Sequence, residues 1–149
     1  MPDSTFTLDL EAALADLTAA RAGLASTVQP LSNADLDRAR PGGWTIRGIL
    51  EHLSQYESLY ARGAAHLRGV SAPRRSEGAC SGQRVDEILC VLDASRTALL
   101  QAVAGVSERA FYEVKRLGPE EYSILSLLEK AASHDREHAT GIRTIAGSD

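Results

Sequence analysis

Ile124-Leu125-Ser126-Leu127-Leu128-Glu129-Lys130-Ala131-Ala132-Ser133-His134-Asp135-Arg136-Glu137-His138-Ala139-Thr140-Gly141-Ile142-Arg143-Thr144-Ile145 repeats its apolar residues at intervals of three and four. Ile124, Leu127, Ala131, His134, His138, Ile142 and Ile145 fall on one stripe, the period of an amphipathic α-helix. Ser123 is a candidate N-cap for it. His134 and His138 both lie on that inward stripe, one turn apart. Side chains so placed have Cβ atoms about 5–6 Å apart. Two such imidazoles can converge on one divalent metal, whose N–metal distances are about 2.0–2.1 Å.

Working back along the chain, the same period recurs. A helix is expected from about Thr7 to Val28, with Leu10, Leu14, Leu17, Leu24 and Val28 on its stripe, Asp9 and Glu11 in its first turn and Pro30 limiting its end. A second runs from about Ile46 to Leu67, with Thr45 as N-cap, Trp44 at hydrophobic-staple spacing from Ile49, and Gly69 just past its end. A third runs from about Val85 to Val103 on Val85, Ile88, Leu89, Leu92, Leu99 and Val103, ended by Gly105. The expected fold is therefore all-α, a four-helix bundle filling one domain over residues 1–149. Ser32 to Asp35 suggests a short capped turn. Residues 70–83 read as a mobile loop, and Phe111 to Val114 as a brief extended piece with no substantial sheet. The halves also look alike. Leu10, Leu14, Leu17, Leu24, Val28, Leu31 and Leu36 recur 75 positions later as Val85, Leu89, Leu92, Leu99, Val103, Val106 and Phe111. Ser32 recurs as Ser107, and Trp44-Thr45 has its counterpart in Tyr122-Ser123.

Composition narrows the function classes. A hydrophobic fraction of 44% allows a real core, while aromatics at 5% leave it to Leu, Val, Ile and Ala. The net charge of −4, with arginines scattered, argues against a nucleic-acid surface, which is normally a basic patch. No apolar run approaches the ~20 residues needed to cross a membrane. No signal-peptide pattern follows Met1, so a cytoplasmic location is expected. Cys80 and Cys90 do not have metal-knuckle or disulfide-framework spacing. Both are expected as reduced thiols, Cys90 as a small core residue and Cys80 in a Gly/Ser-rich loop.

His52 joins the pair from the second helix, beside Ile49, Tyr56 and Leu59 at helical spacing. Three of the four histidines thus sit on apolar faces. A single histidine there is more often a hydrogen-bonded core residue, but three on facing stripes favour a metal site with open coordination positions, the arrangement of catalytic centres. His66 is about 21 Å from His52 along the helix axis at 1.5 Å per residue. It reads as a helix C-terminal residue. The run 134–138 also fits the inverted zinc-protease pattern His-x-x-Glu-His. That reading is rejected, because such enzymes are large and take another glutamate well downstream. Glu137 is expected as a solvated helix residue. Asp135 is expected likewise, or as an acceptor orienting a ligand imidazole.

The segment Trp44-Thr45-Ile46-Arg47-Gly48-Ile49-Leu50-Glu51-His52-Leu53, followed by His134-Asp135-Arg136-Glu137-His138, resembles the DinB/YfiT-like superfamily across essentially the whole chain. The resemblance implies an up-down-down-up bundle with a divalent ion (zinc, nickel or iron) bound by His52, His134 and His138. Characterised relatives include metal-dependent transferases that use low-molecular-weight thiols. The function so implied is transfer of such a thiol, as cosubstrate, to an electrophilic small molecule. Two alternatives stand beside it: a hydrolase using activated water, and a non-catalytic metal-stabilised bundle acting in stress response. Tyr56 is a candidate pocket residue, its simpler reading being core packing. A homodimer through the first and third helices is compatible with the pattern, although the sequence does not specify it. No catalytic residue beyond the metal ligands is assigned.

Overall fold

Four long helices, α1 (Thr5–Val28), α2 (Ile46–Arg68), α3 (Val85–Val103) and α5 (Ile124–Ala146), make up most of the protein, seen here in a computed structural model that describes residues 4–72 and 83–147. Smaller elements are a 3-10 turn at Asp35–Asp37, the short helix α4 (Glu108–Tyr112), and strands β1 (Lys115–Leu117) and β2 (Glu120–Tyr122). Asp16 pairs with Arg136 and Thr27 with Arg143, so α1 and α5 run parallel. Arg47 donates to the Gln83 carbonyl and Arg68 to the Ala102 carbonyl, so α2 and α3 also run parallel. His52 faces His134, while Gly63, further along α2, faces Leu127, earlier on α5, which sets α2 antiparallel to α5. The bundle is therefore up-down-down-up.

Local chemistry fixes the helix ends. The Thr45 hydroxyl accepts from the Gly48 N–H at 3.0 Å and starts α2. Gly69, with φ 68°, closes it in the left-handed conformation that glycine adopts without a Cβ penalty. Ser123 and Ser126 form a reciprocal capping box at the start of α5. Helix α1 begins earlier than its stripe suggests, because Ser4 caps it by accepting from the Thr7 N–H. Its first turn consequently holds no acidic residue. Asp9 instead accepts from the Tyr112 hydroxyl at 2.6 Å.

The connection into α5 departs most from expectation. Phe111 and Tyr112 are helical, because Ser107 caps α4 and Phe111 is fully buried. The extended piece lies just beyond, where β1 and β2 pair antiparallel, Lys115 opposite Tyr122. Gly118 takes φ 66° at the first position of the two-residue turn, as type II′ turns require. Leu117 packs where α2 has Gly63; a Cβ there would stand 2.8 Å from Leu117 Cδ2. Most of the expected mobile loop, residues 73–82, lies outside the described residues, and Cys80 with it. Cys90 is neither a core residue nor a free thiol: it is exposed on α3 and disulfide-bonded.

Two apolar clusters fill the bundle. One gathers Leu17, Leu99, Phe111, Ile124, Leu127 and Leu128; the other Leu24, Leu36, Ile46, Leu50, Leu53 and Ile142. Between them, one charged residue from each long helix turns inward. Arg21 donates to Glu57 at 2.8 Å, to Asp135 at 3.0 Å and to the Leu92 carbonyl at 2.9 Å. Arg96 donates to Glu57 at 3.1 Å, to Asp135 at 2.8 Å and to the Leu17 carbonyl at 3.0 Å. Ser95 adds a bond to Glu57. Among the described residues no buried side-chain polar atom lacks a partner, the condition under which buried ion pairs are tolerated.

Candidate metal centre

The three histidines singled out from the sequence meet between α2 and α5. His52 Nε2 lies 3.1 Å from His134 Nε2, and His138 Nε2 lies 3.0 Å from the same atom. They are one group that could hold a metal ion, each offering a ring nitrogen, with all three nitrogens within 4.8 Å of one another. The caps at Thr45 and Ser123 set the starting points of the two helices, and so the phase in which His52 faces the other pair. His66, as expected, is an exposed residue of the last turn of α2.

The donor set fits a cation. An imidazole nitrogen has one in-plane position, holding either a hydrogen or a lone pair. His134 Nε2 has two nitrogen neighbours at hydrogen-bond distance, and one position cannot satisfy both as hydrogen bonds. A cation among three lone pairs satisfies all of them. Two nitrogens each about 2.0–2.1 Å from one ion stand about 2.9 Å apart at a right angle and about 3.3 Å apart at the tetrahedral angle. The observed separations fall in that range. Ligation requires neutral rings, and two of the three are shifted that way. Burial, then repulsion from His138 and His52, pushes His134 down to about 4. Burial, then His138, lowers His52.

The site is a half-buried cleft at the bundle's edge rather than a core position. Trp44 is 58% exposed and Tyr56 41%, and their rings lie 4.9 Å and 4.4 Å from that of His52. Trp44 thus lies against the imidazole and not only against the helix start. Tyr56 flanks both His52 and His134, the latter at 5.4 Å, which favours the pocket reading over core packing. Leu59 is exposed too. On the His52 side of the site a recess of about 350 Å³ is lined by Trp44, Thr45, Gly48, Glu51, His52 and Gln55.

Glu137 is exposed as expected. Asp135 is not: it is buried and bound to Arg21 and Arg96, so neither the solvated reading nor the ligand-orienting one describes it. Arg21, Glu57 and Arg96 escaped the sequence reading altogether. Their signal was present, since each sits three or four residues from apolar stripe positions such as Leu17 and Leu24, Leu53, or Leu92 and Leu99. A charged residue in the middle of an apolar stripe is buried only with a partner.

A helical bundle with three imidazoles converging from its second and last long helices is the architecture that fold and site define together. The chain belongs to the DinB superfamily, whose family model matches residues 16–142. It is similar to a solved structure described as TT2238, a four-helix bundle protein, at 26% identity and a TM-score of 0.69 over 89% of this chain and 96% of that one. A search of curated proteins found no match.

Proposed function

We propose that His52, His134 and His138 hold one divalent ion, and that the protein transfers a low-molecular-weight thiol to an electrophilic small molecule. The observation that carries the reading is the convergence of three imidazoles, with Nε2 separations of 3.0 and 3.1 Å, one of which, His52, lines a recess of about 350 Å³. Neutral nitrogen donors suit zinc, nickel or iron. Such an ion supplies Lewis acidity there, favouring the ionised form of a thiol or of water at neutral pH.

The chain's own residues do the rest. The imidazoles offer lone pairs and remove no charge from the ion. The Trp44 and Tyr56 rings wall the cleft and exclude water from one side of a bound substrate. In the transfer, a C–S bond forms between the thiol sulfur and the electrophilic carbon. The thiol proton passes to solvent. A displaced group leaves with its bonding pair, or an unsaturated electrophile takes up a proton instead. The recess beside the imidazoles favours this over a metal-stabilised bundle with no substrate.

A screen of several cellular thiols against activated halide, epoxide and unsaturated-carbonyl acceptors tests the reading. Turnover that requires both the thiol and the loaded metal is expected. Turnover that needs the metal but no thiol would make the protein a hydrolase.

A further inference from the structure

The recess beside His52 also narrows the thiol. Glu51 brings the one carboxyl group among its six lining residues. Among the described residues, neither Glu51 nor Gln55 has a hydrogen-bond or ion-pair partner. The nearest cation along α2, Arg47, is turned away, donating to Asp37 at 3.2 Å and to the Gln83 carbonyl at 2.7 Å. Trp44 adds an exposed aromatic ring on the same side. A carboxylate, an amide that can turn its oxygen inward and an indole ring around one space suit an ammonium group, which has three N–H donors and no acceptor and is attracted to aromatic rings. An anionic group placed there would meet the Glu51 carboxylate with no lining cation to offset it.

We propose that the thiol taken by this site carries a protonated amine, held by Glu51 against Trp44 while its sulfur is directed to the three imidazoles. The proposal rests on the thiol-transfer reading and fixes the cosubstrate's second group.

The test uses the full chain loaded with cobalt(II), whose visible spectrum reports thiol coordination. It is titrated with cysteamine, 2-mercaptoethanol and 3-mercaptopropionate. Comparing ratios between variants cancels the thiols' intrinsic differences. Replacing Glu51→Gln should lower the preference for cysteamine over 2-mercaptoethanol by about two- to fivefold, the range of one exposed charge pair. Glu51→Lys should shift preference toward 3-mercaptopropionate. If all three thiols bind and their ratios do not move in either variant, the amine assignment is wrong while the thiol reading stands. If no thiol perturbs the spectrum of the loaded protein, both fall.

Discussion

His134 stands between the other two imidazoles, 3.1 Å from one and 3.0 Å from the other, and that crowding has a measurable consequence. A free histidine titrates near 6.5, whereas His134 in the folded, metal-free protein is held at about 4, by burial first and then by its neighbours. Between those values the unfolded chain binds a proton that the folded chain refuses. Stability of the metal-free protein should therefore be full above about 6.5 and fall as pH drops toward about 4. Denaturant midpoints measured across pH 4–8 would show it, and a midpoint unchanged over that range would argue against the buried placement. In loaded protein, acid should also release metal below about pH 6, because protons and the ion compete for the same lone pairs. The histidines were legible in the sequence because their spacing reports a helix face. Trp44 and Tyr56 could be named but not weighed, since stripe position does not reveal that the stripe's edge opens into a cleft.

The helices themselves were legible wherever the apolar period ran long and a hydroxyl residue preceded it, as at Thr45 and Ser123. Short elements were not. Helix α4 is a single capped turn, too brief for any period to show, and the hairpin after it is set by Gly118 and by the space that Gly63 leaves for Leu117. The start of α1 was misplaced because Ser4 caps it from outside the apolar stripe. The Ser123 cap matters most for the site, since it fixes where α5 begins. Ser123→Ala removes the bond accepted from the Ser126 N–H and should cost about 1 kcal/mol. In thermal unfolding that is a fall of about 2–4 °C for a chain of this size. No change in Tm would mean the box is decorative.

Across the molecule, the 75-residue recurrence reaches well beyond the apolar stripes. Arg21 and Arg96 are 75 apart, and each donates to the same two carboxylates. Their carbonyl acceptors, Leu92 and Leu17, are exchanged in the same way. Thr45 and Ser123 cap the corresponding helices α2 and α5. On that correspondence Tyr56 and Tyr60 occupy the places of His134 and His138, and Lys130 that of His52, so the repeat carries one histidine cluster and not two. The ion network at its centre is buried, with Glu57 and Asp135 side chains only 3% and 2% exposed. Burial opposes the Arg21 charge, yet Glu57 and Asp135 raise its pKa above the ordinary value. Removing one partner strands the others, so Arg96→Met or Glu57→Gln should each destabilise by about 3–5 kcal/mol in urea unfolding. A loss under 1 kcal/mol would show the pairs to be dispensable. Elemental analysis of the purified full chain decides whether the three imidazoles are a metal site. One divalent ion per chain is expected in the wild type, and none after His134→Ala, with the variant's helical circular dichroism retained. An unchanged metal content in His134→Ala, or a wild type that takes up no divalent metal when supplied with it, would contradict the assignment of His52, His134 and His138.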